Sequence, residues 1–366
     1  MFYDCPAIDY GVAIFPDQRI RPCCQTSAEY SKPISEITNP DRFADLRNIE
    51  QHWACEYCNR KESQNLPSYR QFFLEKFDPT KSGIQFLDFR HSNQCNLKCR
   101  YCGPHFSNQW AKELDYEITL HKTSVKEFYD QLLTNNLVDM YWCGGEPLII
   151  KEHYDVLESL IERGISKNIA LRYNTNFTSI KYKDRDLLSL WKNFKSVKLQ
   201  ISLDAAGPEL NYIRSGSDWN NVSQNIENLL SQRTSIPELQ IVFSPVISLL
   251  NIWFLPELFS YAESRKIKVQ PILLTGPDYL SLASLYSEQL RTHAKSILLK
   301  IQHHIPQSLY DSIVNSIGTE EHEYLFNHAV RHILLLDSLR NEKLFDVLPF
   351  KNIAVDLTLR NREYEQ

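Results

Sequence analysis

The stretch IQFLDFRHSNQCNLKCRYCG, residues 84–103, runs from an apolar, strand-like segment straight into three cysteines spaced by three and then two residues. Parallel sheets bind their ligands at the carboxyl ends of their strands, so a strand that opens into a thiol-rich loop marks both an architecture and a site. Outward from it, short apolar runs alternate with longer amphipathic segments, the pattern of parallel βαβ units. Strands are predicted at 84–91, 138–143, 169–176, 196–204, 239–246 and 268–274. Between them, 124–136, 151–164, 184–194, 219–232 and 255–265 carry apolar residues at helical spacing, several with Asp, Ser or Gly near an end. The predicted fold class is α/β: a partial (β/α)6 parallel barrel over residues 84–275, preceded by a small metal-cluster module over 1–83 and followed by a helical extension over 276–366.

The chain has 366 residues, 43% hydrophobic and 12% aromatic, ample for a large core. Its 45 acidic and 40 basic residues are spread along the sequence, which leaves no electrostatic footprint for general nucleic-acid or anionic-lipid binding. The amino end lacks a cationic segment followed by an apolar one, and ISLLNIWFL (247–255) is too short to span a bilayer. A cytoplasmic protein without a membrane partner is expected. All nine cysteines lie in the first 143 residues. In a reducing compartment such clustering points to metal ligands or catalytic thiols rather than disulfides.

The spacing of Cys95, Cys99 and Cys102 lets a short loop wrap three thiolates around an iron–sulfur cluster while one iron stays without a protein ligand. Zinc with a distant fourth ligand is the rival, and buried structural cysteines are the plainest alternative. Further polar motifs recur at later strand ends. Cys143-Gly144-Gly145-Glu146-Pro147 combines two glycines that allow close backbone approach with a carboxylate suited to an ammonium. Ser202 and Asp204 share one strand face as two acceptors suited to a ribose, and Asn174-Thr175-Asn176 ends another strand. Taken singly, the first is a helix-start turn, the second a strand end, and the asparagines satisfy turn backbone.

In order and spacing, CNLKCRYC, YWCGGEP and QISLDA resemble the radical S-adenosylmethionine superfamily over roughly residues 84–275. The resemblance implies that Cys95, Cys99 and Cys102 hold a [4Fe–4S] cluster whose open iron chelates the amino and carboxylate groups of S-adenosylmethionine. It places Tyr101 against the adenine, and Gly144, Gly145 and Glu146 at the methionine amino group. It places Ser202 and Asp204 near the ribose, Arg214 of YIRSG at the methionine carboxylate, and Asn176 on the cofactor side. In NTNF (174–177) this chain has Phe177 where relatives often show glycine.

Upstream, Cys5, the pair Cys23 and Cys24, and Cys55 and Cys58 offer five thiols for four places. FPDQRIRPCC followed by a CxxC resembles the Twitch and SPASM auxiliary-cluster modules, with Gln18 where glycine is usual and with the module before rather than after the barrel. The fit implies Cys5, Cys23, Cys55 and Cys58 as ligands of one auxiliary [4Fe–4S] cluster, Cys24 being the alternate for Cys23. Zinc suits the same set. Either metal would staple a segment poor in apolar residues. Cys143 reads as a hydrogen-donating thiol or a small buried hydrophobe.

The implied function is a radical enzyme, an oxidoreductase or a peptide- or small-molecule-modifying enzyme. It would reductively cleave S-adenosylmethionine to a 5′-deoxyadenosyl radical, which abstracts hydrogen from a peptide or small-molecule substrate. Its auxiliary cluster would assist electron transfer, and a flavodoxin or ferredoxin would donate electrons. No leader-peptide-binding segment is recognisable at the amino end, which weighs against a peptide. A non-catalytic iron–sulfur electron carrier and a zinc-stabilised interaction protein are the alternatives. Phe106, Trp110, Tyr279 and Tyr286 are candidate substrate-lining aromatics, though most aromatics at helical spacing are core. His303, His304, His322, His328 and His332 read as surface or packing residues of amphipathic helices.

Overall fold

A computed structural model describes residues 5–48, 53–117 and 125–343. Nine strands among them form one sheet: β1 (Gly11–Ile14), β2 (Arg19–Arg21), β3 (Lys32–Pro33), β4 (Phe86–Phe89), β5 (Asp139–Trp142), β6 (Ala170–Thr175), β7 (Ser196–Ile201), β8 (Gln240–Phe243) and β9 (Lys268–Val269). Strands β4 to β9 stand where the apolar runs predict them, each parallel to the next. The N-terminal hairpin lies on the same sheet. Strand β1 pairs in parallel with β4, Gly11 opposite Phe86 and Ile14 opposite Phe89, and β2 and β3 follow antiparallel.

Because the parallel crossovers from β4 to β9 all step in one direction, and such crossovers are right-handed, the connecting helices fall on one face. That face is apolar: Met140 and Trp142 of β5, Leu171 and Tyr173 of β6, and Leu199 and Ile201 of β7 are buried. Side chains alternate along a strand, so the intervening residues form the other face. There Asp88, Tyr141, Arg172 and Lys198 lie in one row across β4, β5, β6 and β7. The helix Tyr69–Lys76 covers part of this polar face. Its Lys76 Nζ is 3.1 Å from Asp139 Oδ2, and Arg172 lies 4.7 Å from the Phe72 ring.

Two connections differ from expectation. In 184–194 a two-residue ribbon, Lys181–Tyr182 with Arg185–Asp186, precedes a helix confined to Leu187–Trp191. Lys183 has φ +56°, and Asp186 caps the helix by accepting from Ser189 N, so the turn occupies the expected first helical turn. In 124–136, Ser124 lies outside the described residues, and the rest is a 3₁₀ turn, Val125–Phe128, and one short helix, Tyr129–Leu132. Val125, Phe128 and Tyr129 are β-branched or aromatic and favour helix weakly. Beyond the sheet come the helices Glu288–Ile301, Gln307–Asn315 and Glu323–Arg340. No helix among the described residues is long and apolar enough to cross a membrane.

Candidate functional site

The cysteine loop is closed on itself before any partner is counted. Ser107 caps the helix Asn108–Glu113 and also donates to Leu97 O at 2.7 Å, while Asn108 Oδ1 accepts from Cys95 N and Asn108 N donates to Asn93 O. Cys102 N donates to Cys99 O, turning the last two thiols toward one side. Residues 98–99 pair antiparallel with 214–215, which sets Arg214 opposite Cys99. Leu97 N donates to Cys95 Sγ at 3.4 Å and Arg214 Nη1 to Cys99 Sγ at 3.8 Å. Burial pushes the Cys95 thiol up to about 11 and the Cys99 thiol to about 12, Arg214 opposing both shifts. Without a ligand these thiols stay protonated at neutral pH, so taking up a metal centre releases protons.

Asp204, at the end of β7, is fully buried and joins the site together. Its Oδ2 accepts from Tyr101 OH at 2.5 Å and Arg214 Nε at 2.7 Å, and its Oδ1 accepts from Val246 N at 2.8 Å. Arg214 sits 5.6 Å from the Tyr101 ring. Burial opposes the charge of Arg214, but Asp204, Tyr101 and Cys99 outweigh it and raise its pKa. Ser202 is half-buried beside this cluster, its amide donating to Thr175 O. The acceptor suggested for a ribose is therefore already engaged with a cation and a phenol, while Ser202 stays accessible.

At the end of β5 the glycines are explained by neighbouring backbone. A Cβ on Gly145 (φ +54°) would collide with Gln94 O, and one on Gly144 (φ +80°) would press on Arg90 at 3.2 Å. Glu146 N donates to Gln94 O at 2.8 Å. The Glu146 carboxylate, 1% exposed, accepts from Thr175 Oγ1, Asn176 N and Leu148 N. Asn176 Nδ2 donates to Asn96 Oδ1, and Asn176 Oδ1 accepts from Thr178 N, tying β6 to the cysteine loop. Phe177, fully buried, adopts φ +56°, a conformation normally left to glycine.

Burial pushes Glu146 up to about 7 from 4.5, its three donors pulling the other way. The folded form thus holds a proton that the unfolded chain releases, so this group lowers stability as pH rises from about 4.5 to about 7, by on the order of 3 kcal/mol. Urea titrations of wild type and Glu146→Gln across pH 5 to 8 check this. The wild-type curve should fall relative to the variant up to pH 7 and run parallel above it.

Cys5, Cys23, Cys55 and Cys58 line one small cavity, with Tyr69 and Arg70 on its wall. Cys24 points elsewhere: its Sγ accepts from Gln25 Nε2, and its surroundings are Asp88 and Arg90. Burial raises the Cys5 thiol, with Cys23, Cys55 and Cys58 adding to the shift, and raises Cys55 to about 11. The turn before Cys23 keeps a glycine-like backbone in Gln18 at φ +60°. Cys143 is buried, its Sγ donating to Asp88 Oδ1 at 3.5 Å. Among the described residues no three His, Cys, Asp or Glu side chains converge on the position of a single ion, so neither cysteine set is a ready-made mononuclear site.

What holds the cysteine loop from behind comes from distant parts of the chain. Arg100, fully buried, donates through Nε to Tyr212 O and through Nη2 to Asp337 Oδ1 at 2.6 Å and Glu342 Oε2 at 2.5 Å. Arg340 forks onto both oxygens of Glu113 and donates to Lys98 O at 2.9 Å. Trp110 Nε1 donates to Cys99 O, and the indole lies 4.6 Å from the Arg340 guanidinium and nearly parallel to His332 at 6.4 Å. Trp110 is therefore core, and Tyr279 and Tyr286 pack against His328 and Phe326 of the last helix. The arginine inside the cysteine motif was the signal available, since a charge between two ligands needs a partner.

Residues 89–240 match the family model described as the Radical SAM superfamily, a segment that holds every position from Cys95 to Arg214. The chain is 27% identical over 190 residues to a GTP 3′,8-cyclase of Helicobacter pylori, covering 52% of this chain and 55% of that protein. It is 26% identical over 136 residues to an uncharacterized protein of Methanocaldococcus jannaschii, covering 36% of this chain and 42% of that one. The chain thus spans about half the length or less of the curated relatives it matches.

Proposed function

We propose that Cys95, Cys99 and Cys102 hold a [4Fe–4S] cluster that binds S-adenosylmethionine, and that the chain directs the resulting radical chemistry at a peptide or small-molecule substrate. We further propose a second, auxiliary [4Fe–4S] cluster on Cys5, Cys23, Cys55 and Cys58. When bound, the first cluster and S-adenosylmethionine supply a one-electron cleavage that yields a hydrogen-abstracting 5′-deoxyadenosyl radical. The observation that carries this reading is the bridge Cys99–Arg214–Asp204–Tyr101, which brings the thiols, a cation, a carboxylate and an aromatic ring together at the carboxyl edge of the sheet. An electron carrier would need none of the last three.

The chain's own residues have definable tasks. Arg214 and the Leu97 amide aim hydrogen atoms at two ligand sulfurs, which stabilises their thiolate form. Tyr101, fixed through its hydroxyl, offers its ring as a flat wall. Glu146 places a buried carboxylate where an ammonium would be attracted, and Ser202 leaves a hydroxyl accessible nearby. That four cysteines line one cavity supports full ligation of the auxiliary cluster, which suits electron transfer better than substrate binding.

The test is anaerobic. The reconstituted, reduced protein should convert S-adenosylmethionine to 5′-deoxyadenosine and methionine, and its reduced-cluster EPR spectrum should change when the cofactor is added. No cleavage and no spectral change would refute the reading. Iron analysis should find about eight atoms per chain, and a value near four would refute the auxiliary cluster.

A further inference from the structure

A cavity of about 470 Å³ opens beside Gly144 and Gly145, walled by Phe15 and Pro16 of the β1–β2 turn and by Phe106 and Tyr116 beyond the cysteines. Its size and mainly apolar walls are those of a small-molecule pocket. Phe106, 69% exposed, would otherwise be an unexplained apolar surface residue. One strong cation lies on the lining. Arg90 follows β4 directly, its amide held by Ile14 O of β1, and its Nε donates to both oxygens of Asp88 at 2.9 and 3.0 Å. Asp88 is fully buried, and the guanidinium lies 5.4 Å from the Tyr141 ring, so carboxylate and ring together fix it.

The terminal nitrogens of Arg90 have no partner among the described residues, and 28% of its side chain is exposed. A guanidinium whose rear is neutralised and whose front carries unused donors is shaped for an oxyanion. The two acids on the lining, Asp17 and Glu117, come from other loops, and neither pairs with Arg90. They would repel a second negative group. Gly144 is part of the device, since a side chain there would press on the Arg90 backbone and displace it.

We infer that this cavity is the substrate pocket, and that it takes a molecule with one oxyanion, a carboxylate or a phosphate, on an apolar body, the anion held by Arg90. The inference rests on the reading of the neighbouring cysteine loop as the radical-generating site, and it adds the substrate's chemical class. The pocket itself is tested without turnover. Binding of 3-phenylpropionate, phenyl phosphate and phenethylamine to the full, reconstituted chain is measured by ligand-observed NMR and calorimetry, with and without S-adenosylmethionine.

Both anions should bind and the amine should not, and the tighter anion identifies the headgroup. Arg90→Gln should weaken anion binding by roughly ten- to a hundred-fold, and Arg90→Lys by less. As a readout without substitution, the bound anion should protect Arg90 of the wild-type chain from phenylglyoxal, mapped by mass spectrometry. Failure of both anions to bind, equal binding of the amine, an unchanged Arg90→Gln affinity with no protection of Arg90, or displacement of the probes by S-adenosylmethionine would each overturn the inference. Anion binding at Arg90 in a protein that neither binds nor cleaves S-adenosylmethionine would leave the pocket standing and remove the radical reading instead.

Discussion

Replacing Cys99 by alanine should reduce 5′-deoxyadenosine formation to background and remove about half of the bound iron. Of the three thiols in the loop, Cys99 is the one the fold fixes most completely. It is 9% exposed, its carbonyl accepts from Trp110, its strand partner is Arg214, and its sulfur accepts from the same arginine. The alanine variant leaves two thiols, too few to retain a cube with one open corner. The other four cysteines line a different cavity and should keep their metal. Iron and sulfide analysis, the EPR signal of the reduced protein and chromatography of the nucleoside products read the outcome. Product formation by the variant would exclude this loop as the site of cleavage.

Arg340→Ala is expected to loosen the cysteine loop from the opposite side. Arg340 is 1% exposed in its side chain and Glu113 is 9% exposed, so the substitution strands the Lys98 carbonyl and leaves the Glu113 carboxylate with Lys98 Nζ as its remaining cation among the described residues. Leaving a buried charge wholly uncompensated costs about 3–5 kcal/mol, and because Lys98 still pairs Glu113 the expected cost is smaller, about 1–3 kcal/mol. Burial raises the Glu113 pKa, but Arg340 and Lys98 outweigh it and hold the group below 4.5. That depressed value contributes stability above pH 4.5 which is lost as pH falls through the folded pKa, and the alanine variant, keeping only Lys98 on Glu113, should show a smaller share of this acid transition. Hydrogen exchange gives the local reading: amides 98–100 should open faster in the variant while those of β6 and β7 hold their protection. Arg340→Lys should restore little, because an ammonium cannot reproduce the fork onto Glu113 and Lys98 O. Unchanged exchange at 98–100 would show that the last helix does not brace the loop.

The six central strands were legible because each apolar run is bounded by polar turns and because helical spacing intervenes. The cysteine loop was legible because three thiols at that spacing admit few readings. What sequence could not show was set by distant partners. Arg100 and Asp337 meet across 237 positions, and nothing local announces either as the other's counterion. The pairing of β1 with β4 is equally silent, since a four-residue strand flanked by turns fits many neighbours. Gln18 and Phe177 stand where glycine is usual, yet both keep the left-handed backbone, at about 1–2 kcal/mol each. Sequence revealed the departures, and only the backbone revealed that the conformation survived them. The choice between Cys23 and Cys24 likewise needed the fold, because the chain turns at this pair and only Cys23 lines the cavity shared with Cys5, Cys55 and Cys58.

The placement of β1 inside the sheet, between β4 and β2, bears on how the protein is made. Gly11 leaves the ribosome early but cannot be paired until Phe86 emerges, roughly 4–15 seconds later at ordinary synthesis rates. Through that interval Cys5 and Cys23 ride on a nascent segment without β4, and until Cys58 emerges also without Cys55 and Cys58. The proposed auxiliary cluster could be completed only once Cys58 has emerged, so its assembly would follow translation of the hairpin rather than accompany it.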